Sequence, residues 1–127
     1  MSLFRNIFKS NTTEEKVNTS NIRWIPLTTV SQIAEIQALS KKETVLIFKH
    51  STRCIISKMV IKQFEKSFDN STSNLKVYYL DLLNYRNVSD EVGYAFQVIH
   101  QSPQLLVIQN DVAVAHASHY DILELEY

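Results

Sequence analysis

Cysteine, glycine, proline and tryptophan are all scarce in this chain, which has one Cys, one Gly, two Pro and one Trp among 127 residues. A single cysteine excludes an intrachain disulfide and leaves a reducing, cytoplasmic setting as the expectation. A single glycine excludes the glycine-rich loops that cradle phosphates. An excess of either charge is missing too: Lys plus Arg and Asp plus Glu each number 13. There is thus no electrostatic footprint for nucleic acid or an anionic membrane, and neither partner is expected. No stretch approaches the roughly 18 apolar residues of a membrane span. The opening Met1 to Ser10, interrupted by Arg5, lacks the apolar region and cleavage site of a secretory signal.

What the chain does have is an ordinary globular balance, 45% hydrophobic and 20% charged, enough for the core of one domain. Residues 1–21 read as a polar tail, because Lys9 to Asn21 is rich in Ser, Thr and Asn without an apolar period. The domain is expected over 22–127. Ile22 to Leu27 suggests a short first strand stopped at Pro26, and Thr28 or Thr29 is placed to cap a helix carrying Val30, Ile33, Ile36 and Leu39 on one face. Thr44 to Phe48 is an unbroken run typical of a strand buried on both sides. A second helix is predicted from Cys54 to Phe68 with an apolar stripe of Ile56, Met59, Val60, Phe64 and Phe68.

The polar turn Asp69 to Asn74 leads into a third strand, Leu75 to Leu80, closed by Asp81. A helix over Val88 to Val98 follows, capped by Asn87 or Ser89 and weakened by Gly93. Leu105 to Ile108 and Val112 to Ala117 flank the turn Gln109-Asn110-Asp111 as an antiparallel hairpin. Ser118, with Asp121 as capping-box partner, is placed to start a last short helix. The predicted order is β-α-β-α-β-α-β-β-α. It defines an α/β fold of thioredoxin-like topology: a central mixed sheet, parallel in its middle, with a C-terminal antiparallel hairpin and flanking helices.

Chemistry concentrates at Cys54, where a strand ends and a helix begins. Helix N-termini carry free N–H groups and the positive end of the dipole, and they favour a thiolate. Arg53 adds positive charge, and Thr52 or Ser51 is expected to cap the helix. Ser57 lies one turn on, placed to aim its hydroxyl back at the sulfur. A dithiol oxidoreductase would carry its resolving cysteine there, so turnover here is expected to be monothiol, completed by an external thiol. A low thiol pKa speeds attack only a few-fold, since nucleophilicity falls along with it, but it makes the sulfur a better leaving group. Such a site suits repeated uptake and release of a small thiol. Ser102–Pro103, just before a strand, is either a simple entry residue or a cis proline opposite the cysteine. His50 is a candidate base or ligand with a structural role as the plainer reading. His100, His116 and His119 show no metal-ligand spacing with Cys54, and Asp81 is either a modulator of the site or a cap.

The string Phe48-Lys49-His50-Ser51-Thr52-Arg53-Cys54 with Ser57, and then Ser102-Pro103-Gln104, closely resembles the monothiol bacilliredoxin-like family of the bacillithiol system. Arg23 to Pro26 and Ser118 to Ile122 also resemble it, so the likeness spans about residues 22 to 122. The resemblance implies a thioredoxin-like fold and a cytoplasmic bacterial protein that removes bacillithiol from protein mixed disulfides. Cys54 would be the attacking thiol, Ser57 the non-resolving position and Pro103 a cis proline. Bacillithiol would be a co-substrate rather than a bound cofactor, and bacillithiolated proteins the clients. Ile55 departs from the small residue or proline often found after that cysteine. Two other classes fit the residues: a module ligating an iron–sulfur cluster in the manner of monothiol glutaredoxins, and a non-catalytic thioredoxin-like scaffold.

Overall fold

The computed structural model describes residues 22–69 and 74–127. The polar stretch 1–21 and most of the Asp69 to Asn74 turn lie outside the described residues. The elements run β1 (Trp24–Pro26), α1 (Ser31–Leu39), β2 (Val45–His50), α2 (Ile55–Lys66), β3 (Lys76–Asp81), α3 (Arg86–Phe96), β4 (Gln104–Gln109), β5 (Val112–Ser118) and a 3-10 helix (His119–Glu124). One five-stranded sheet has the order β1-β3-β2-β4-β5. β3 pairs parallel with both β1 and β2, whereas β4 pairs antiparallel with β2 and β5.

Alternation along the sheet sorts the core onto two faces. Val45, Ile47, Leu80 and Ile108 pack with Ile33 and Ile36 of α1 and Val88, Val92 and Phe96 of α3. Leu46, Phe48, Val77 and Val107 pack with Val60 and Phe64 of α2, Phe68 beyond it, and Ile122 of the 3-10 helix. β2 lies between the two layers, and all six of its residues are buried. It is one residue-pair longer than the apolar run, because Lys49 and His50 continue it.

Several local expectations are corrected. α1 is capped by neither threonine side chain; the Gln32 side-chain oxygen reaches back and accepts the Thr28 and Thr29 N–H groups at 2.8 and 3.0 Å. Val30 lies before the helix and is exposed. On α2 the buried face runs through Ser57, Val60 and Phe64, while Ile56 and Met59 point to solvent. A serine hidden in that stripe hid its phase. α3 begins two residues early, at Arg86, and neither Asn87 nor Ser89 caps it. It ends at Phe96 with Gln97 left-handed, and the Val98 N–H donates to the Gly93 carbonyl at 3.1 Å, the closing bond of a Schellman turn. A Cβ on residue 93 would lie 3.1 Å from the Val98 carbonyl oxygen, so the sole glycine permits this close return.

The hairpin turn has two residues, not three. Asn110 and Asp111 both have positive φ, 51° and 70°, as a type I′ turn requires. Val114 is the extra residue of a bulge between the Val107 and Ile108 pairs. The last element is a 3-10 helix, and the Ser118 side chain makes no capping bond.

Candidate functional site

Parallel β2 and β3 both end at the same edge of the sheet, and antiparallel β4 begins there. Lys49 pairs with Gln104 and His50 with Asp81. The loop 51–54 leaves β2 at this edge, and Pro103 enters β4 beside it. The Ser102–Pro103 bond is cis. The Pro103 carbonyl accepts the His119 N–H at 3.1 Å, which ties the 3-10 helix to the same edge.

Cys54 is half-buried and is itself the N-cap of α2, with extended backbone (φ −100°, ψ 122°). The expected capping by Thr52 or Ser51 is not what the structure has. The Cys54 N–H donates to the Ser51 carbonyl at 3.2 Å, and the Cys54 carbonyl accepts the Lys58 N–H at 3.0 Å. The Cys54 side chain makes no capping hydrogen bond, and the sulfur stands at the start of a helix whose first-turn N–H groups carry the positive end of the dipole. No acidic residue stands in that first turn to compete. Thr52 and Arg53 are exposed on the loop leading in, and Ile55 is 74% exposed immediately after the thiol.

Ser57 does not turn toward the sulfur. It is fully buried, its oxygen lies 2.7 Å from His50 Nδ1, and it accepts the Ser51 N–H at 3.1 Å. His50 is almost buried at the end of β2, with the Tyr79 ring centroid 5.7 Å away. Burial lowers its pKa most. Asp81 and Glu65 pull the other way, and Lys58 adds to the lowering. Asp81 is half-buried; one carboxylate oxygen accepts from the Asn84 amide at 2.8 Å, and the other is buried without a partner.

On the opposite face of the sheet, Lys49 is completely buried. Its ammonium lies 3.3 Å from the Ser89 carbonyl and 3.4 Å from His100 Nδ1. Burial pulls its pKa from 10.5 to about 8, opposed by Asp90. Desolvation also lowers the pKa of His100, and the positive charges of Lys49 and Arg86 lower it further. Gln104, paired with Lys49 in the sheet, is buried, and its amide donates to the Ile99 carbonyl at 3.0 Å. The side-chain oxygens of Ser102 and Gln104 are buried without partners. Among the described residues no three His, Cys, Asp or Glu side chains group as a metal site.

Thr52, Arg53, Cys54 and Ser57, which follow β2, and Ser102 and Pro103, which precede β4, lie at the same end of the sheet, because Lys49 pairs with Gln104. The His50–Ser57 pair and the burial of Lys49 were not foreseen from the sequence. The available signal was period-two alternation: carried past Phe48, it puts Lys49 with Val45 and Ile47, and His50 with Leu46 and Phe48.

This sheet order, with the sole cysteine at the N-cap position of α2 and a cis proline entering β4 at the same edge, defines a protein of the thioredoxin fold. Solved structures agree. One solved protein with a thioredoxin fold is 30% identical, with a TM-score of 0.67 over 78% of this chain and 85% of its own. Malassezia sympodialis thioredoxin superposes with a TM-score of 0.65 at 18% identity, covering 89% of this chain and 91% of its own. Arabidopsis thaliana thioredoxin O2 gives a TM-score of 0.63 at 13% identity, covering 80% and 86%. The model of the family Monothiol bacilliredoxin BrxC matches residues 25–126, and the chain belongs to that family.

Proposed function

We propose that this protein is a monothiol thiol–disulfide exchange enzyme that removes bacillithiol from protein mixed disulfides through Cys54. The Cys54 thiolate attacks the bacillithiol sulfur of the mixed disulfide. An S–S bond forms between Cys54 and bacillithiol as the original S–S bond breaks, and the client leaves as its thiolate and takes up a proton. A second bacillithiol, as thiolate, then attacks the bacillithiol sulfur on Cys54. Oxidised bacillithiol departs and the Cys54 thiolate returns. One free bacillithiol thiol is consumed for each client thiol recovered, and the disulfide passes from the client to a pair of bacillithiols, so electrons balance without a bound cofactor.

The observation that carries this reading is the pairing at the start of α2. Cys54 caps the helix, and the residue three positions on is a buried serine already engaged with His50 and Ser51. No second thiol exists in the chain to resolve the mixed disulfide, so release falls to an external thiol. Arg53 and Ile55, the chain neighbours of Cys54, are both exposed. Family membership supports thiol redox chemistry, and bacillithiol, its protein clients and a cytoplasmic setting are the finer reading.

In a purified assay with a bacillithiolated client and bacillithiol, Cys54→Ser is expected to abolish release of the client thiol. Full activity in that variant overturns the proposal. Anaerobic reconstitution with iron and sulfide is expected to leave the protein colourless; a stable coloured cluster that depends on Cys54 would favour the iron–sulfur module instead.

A further inference from the structure

Ser57 occupies the position at which a dithiol protein would carry its second cysteine, yet its hydroxyl serves the loop rather than the thiol. The count of protons at this oxygen is informative. Ser51 N–H can only donate, so Ser57 Oγ is the acceptor in the 3.1 Å contact. The hydroxyl has one proton of its own, and at full burial an unpaired O–H is costly. Its available partner is His50 Nδ1 at 2.7 Å. Donation to Nδ1 satisfies the Ser57 hydroxyl, the Ser51 N–H and Nδ1 together, and requires a neutral imidazole with its proton on Nε2.

We propose that His50 is the positioning residue of the Cys54 site: as a neutral Nδ1 acceptor it fixes the Ser57 hydroxyl, which in turn holds the Ser51–Cys54 loop in the shape that presents the thiol. The proposal rests on the thiol-exchange reading and deepens it. The linkage is continuous. The His50 carbonyl is pinned by the Leu82 N–H at 3.0 Å, the His50 ring fixes Ser57, Ser57 holds the Ser51 N–H, and the Ser51 carbonyl accepts the Cys54 N–H at 3.2 Å. The loop is thus closed from both ends of its sequence, at the strand and one helical turn past the thiol. Ser57 at this position is a clamp, not an inert stand-in for a resolving cysteine.

Protonation of His50 breaks this arrangement. A second proton on the ring makes Nδ1 a donor, so Ser57 Oγ faces two donors and its own proton loses its acceptor. The charged and titratable groups facing the ring are Asp81 and Tyr79 from β3 and Lys58 and Glu65 from α2. Burial outweighs the two carboxylates and keeps the ring below the usual histidine range, so the neutral form prevails at neutral pH.

The test uses the full chain. Nitrogen-15 NMR of the wild type at neutral pH should show His50 with Nδ1 unprotonated and Nε2 protonated; a proton on Nδ1 overturns the proposal. Cys54 is then alkylated with iodoacetamide across a pH series in wild type, His50→Leu, His50→Asn and Ser57→Ala. Asparagine can place an acceptor near the position of Nδ1 but does not titrate. His50→Leu and Ser57→Ala should react about fivefold more slowly than wild type at neutral pH, and His50→Asn should recover most of that loss. Once rates are divided by the thiolate fraction measured for each variant, the wild type should show a further acid-side fall on the ionisation of His50 that His50→Asn lacks. Equal rates in wild type and His50→Leu, or the same further fall in His50→Asn, overturn the proposal. If His50→Leu fails to fold, the wild-type tautomer and the His50→Asn profile still decide. Alkylation needs no bacillithiol, so failure of the exchange reaction with these results intact would remove the functional reading and leave the clamp standing.

Discussion

Two adjacent residues at the end of β2, Lys49 and His50, enter opposite layers and carry opposite burdens. His50 faces α2 and is held neutral against Ser57. Lys49 faces α3, fully buried, with two long contacts to Ser89 and His100 and the opposing charge of Asp90. Burying an ammonium disfavours its charged form, and the pKa falls to about 8. The linkage follows from that direction. Between about pH 8 and 10.5 the unfolded chain still holds a proton on Lys49 that the folded chain has released. Folding stability due to this group therefore rises with pH through that window, on the order of 3 kcal/mol in full. Tyr78 and Tyr79 are raised by burial and work the other way at the alkaline end, so the comparison must be differential. Denaturation of wild type and Lys49→Met from pH 7.5 to 10 is expected to show the wild type gaining on the variant as pH rises. Parallel curves would show that the buried amine is not titrating in that window.

At the scale of elements, what was legible in the sequence was periodicity, and what was hidden was polar. The β-type run from Thr44 announced β2 because five consecutive apolar or β-branched residues leave little else to form. Its last pair was obscured because lysine and histidine look like a strand's exit until their partners, Ser89, His100 and Ser57, are known. The phase of α2 was misjudged for the same reason: Ser57 holds a core position that hydrophobicity assigns to Ile56. The thiol and Ser57 belong together by their spacing, whereas Ser102–Pro103 stays open between two roles on spacing alone; the antiparallel β2–β4 pairing brings it to the same end of the sheet. The hydrogen bonds that set the role of Ser57 join it to residues six and seven positions back, beyond the reach of helical periodicity. The hairpin shows the limit from another side. Its existence was plain, but the turn was set by the left-handed backbone of Asn110 and Asp111, whose N–H groups are met by the Ser40 carbonyl and hydroxyl at 2.8 and 2.9 Å. One carboxylate oxygen of Asp111 is buried without a partner. Glycine at this position keeps the backbone bond, accepts φ of 70° and removes the orphan oxygen. Asp111→Gly is expected to exceed Asp111→Ala in unfolding free energy by about 1 kcal/mol, the cost of a β-carbon in left-handed backbone. Equal stabilities in chemical denaturation would contradict it.

For the whole molecule, the sheet order does the assembling. Parallel β3–β2 and antiparallel β2–β4 bring two strand ends and one strand start to a single edge, where the Cys54 loop, the cis proline and the Pro103–His119 tie meet. Trp24 of the short β1 reinforces the layer behind it, donating to Glu65 of α2 at 2.7 Å and packing its ring against Phe48, Phe64 and Tyr79. The fold is shared with thioredoxins; this chain has one thiol, and Ser57, three residues on, is bonded to His50 and Ser51. In the proposed cycle Cys54 alone accepts a small thiol and gives it up again. Whole-protein mass spectrometry during turnover on a bacillithiolated client measures it most directly. The wild type should gain one bacillithiol, mapped to Cys54, as client thiol appears, and lose it when free bacillithiol is added. Client release at an undiminished rate in Cys54→Ser, or turnover with no adduct on Cys54 when free bacillithiol is withheld, would contradict the account.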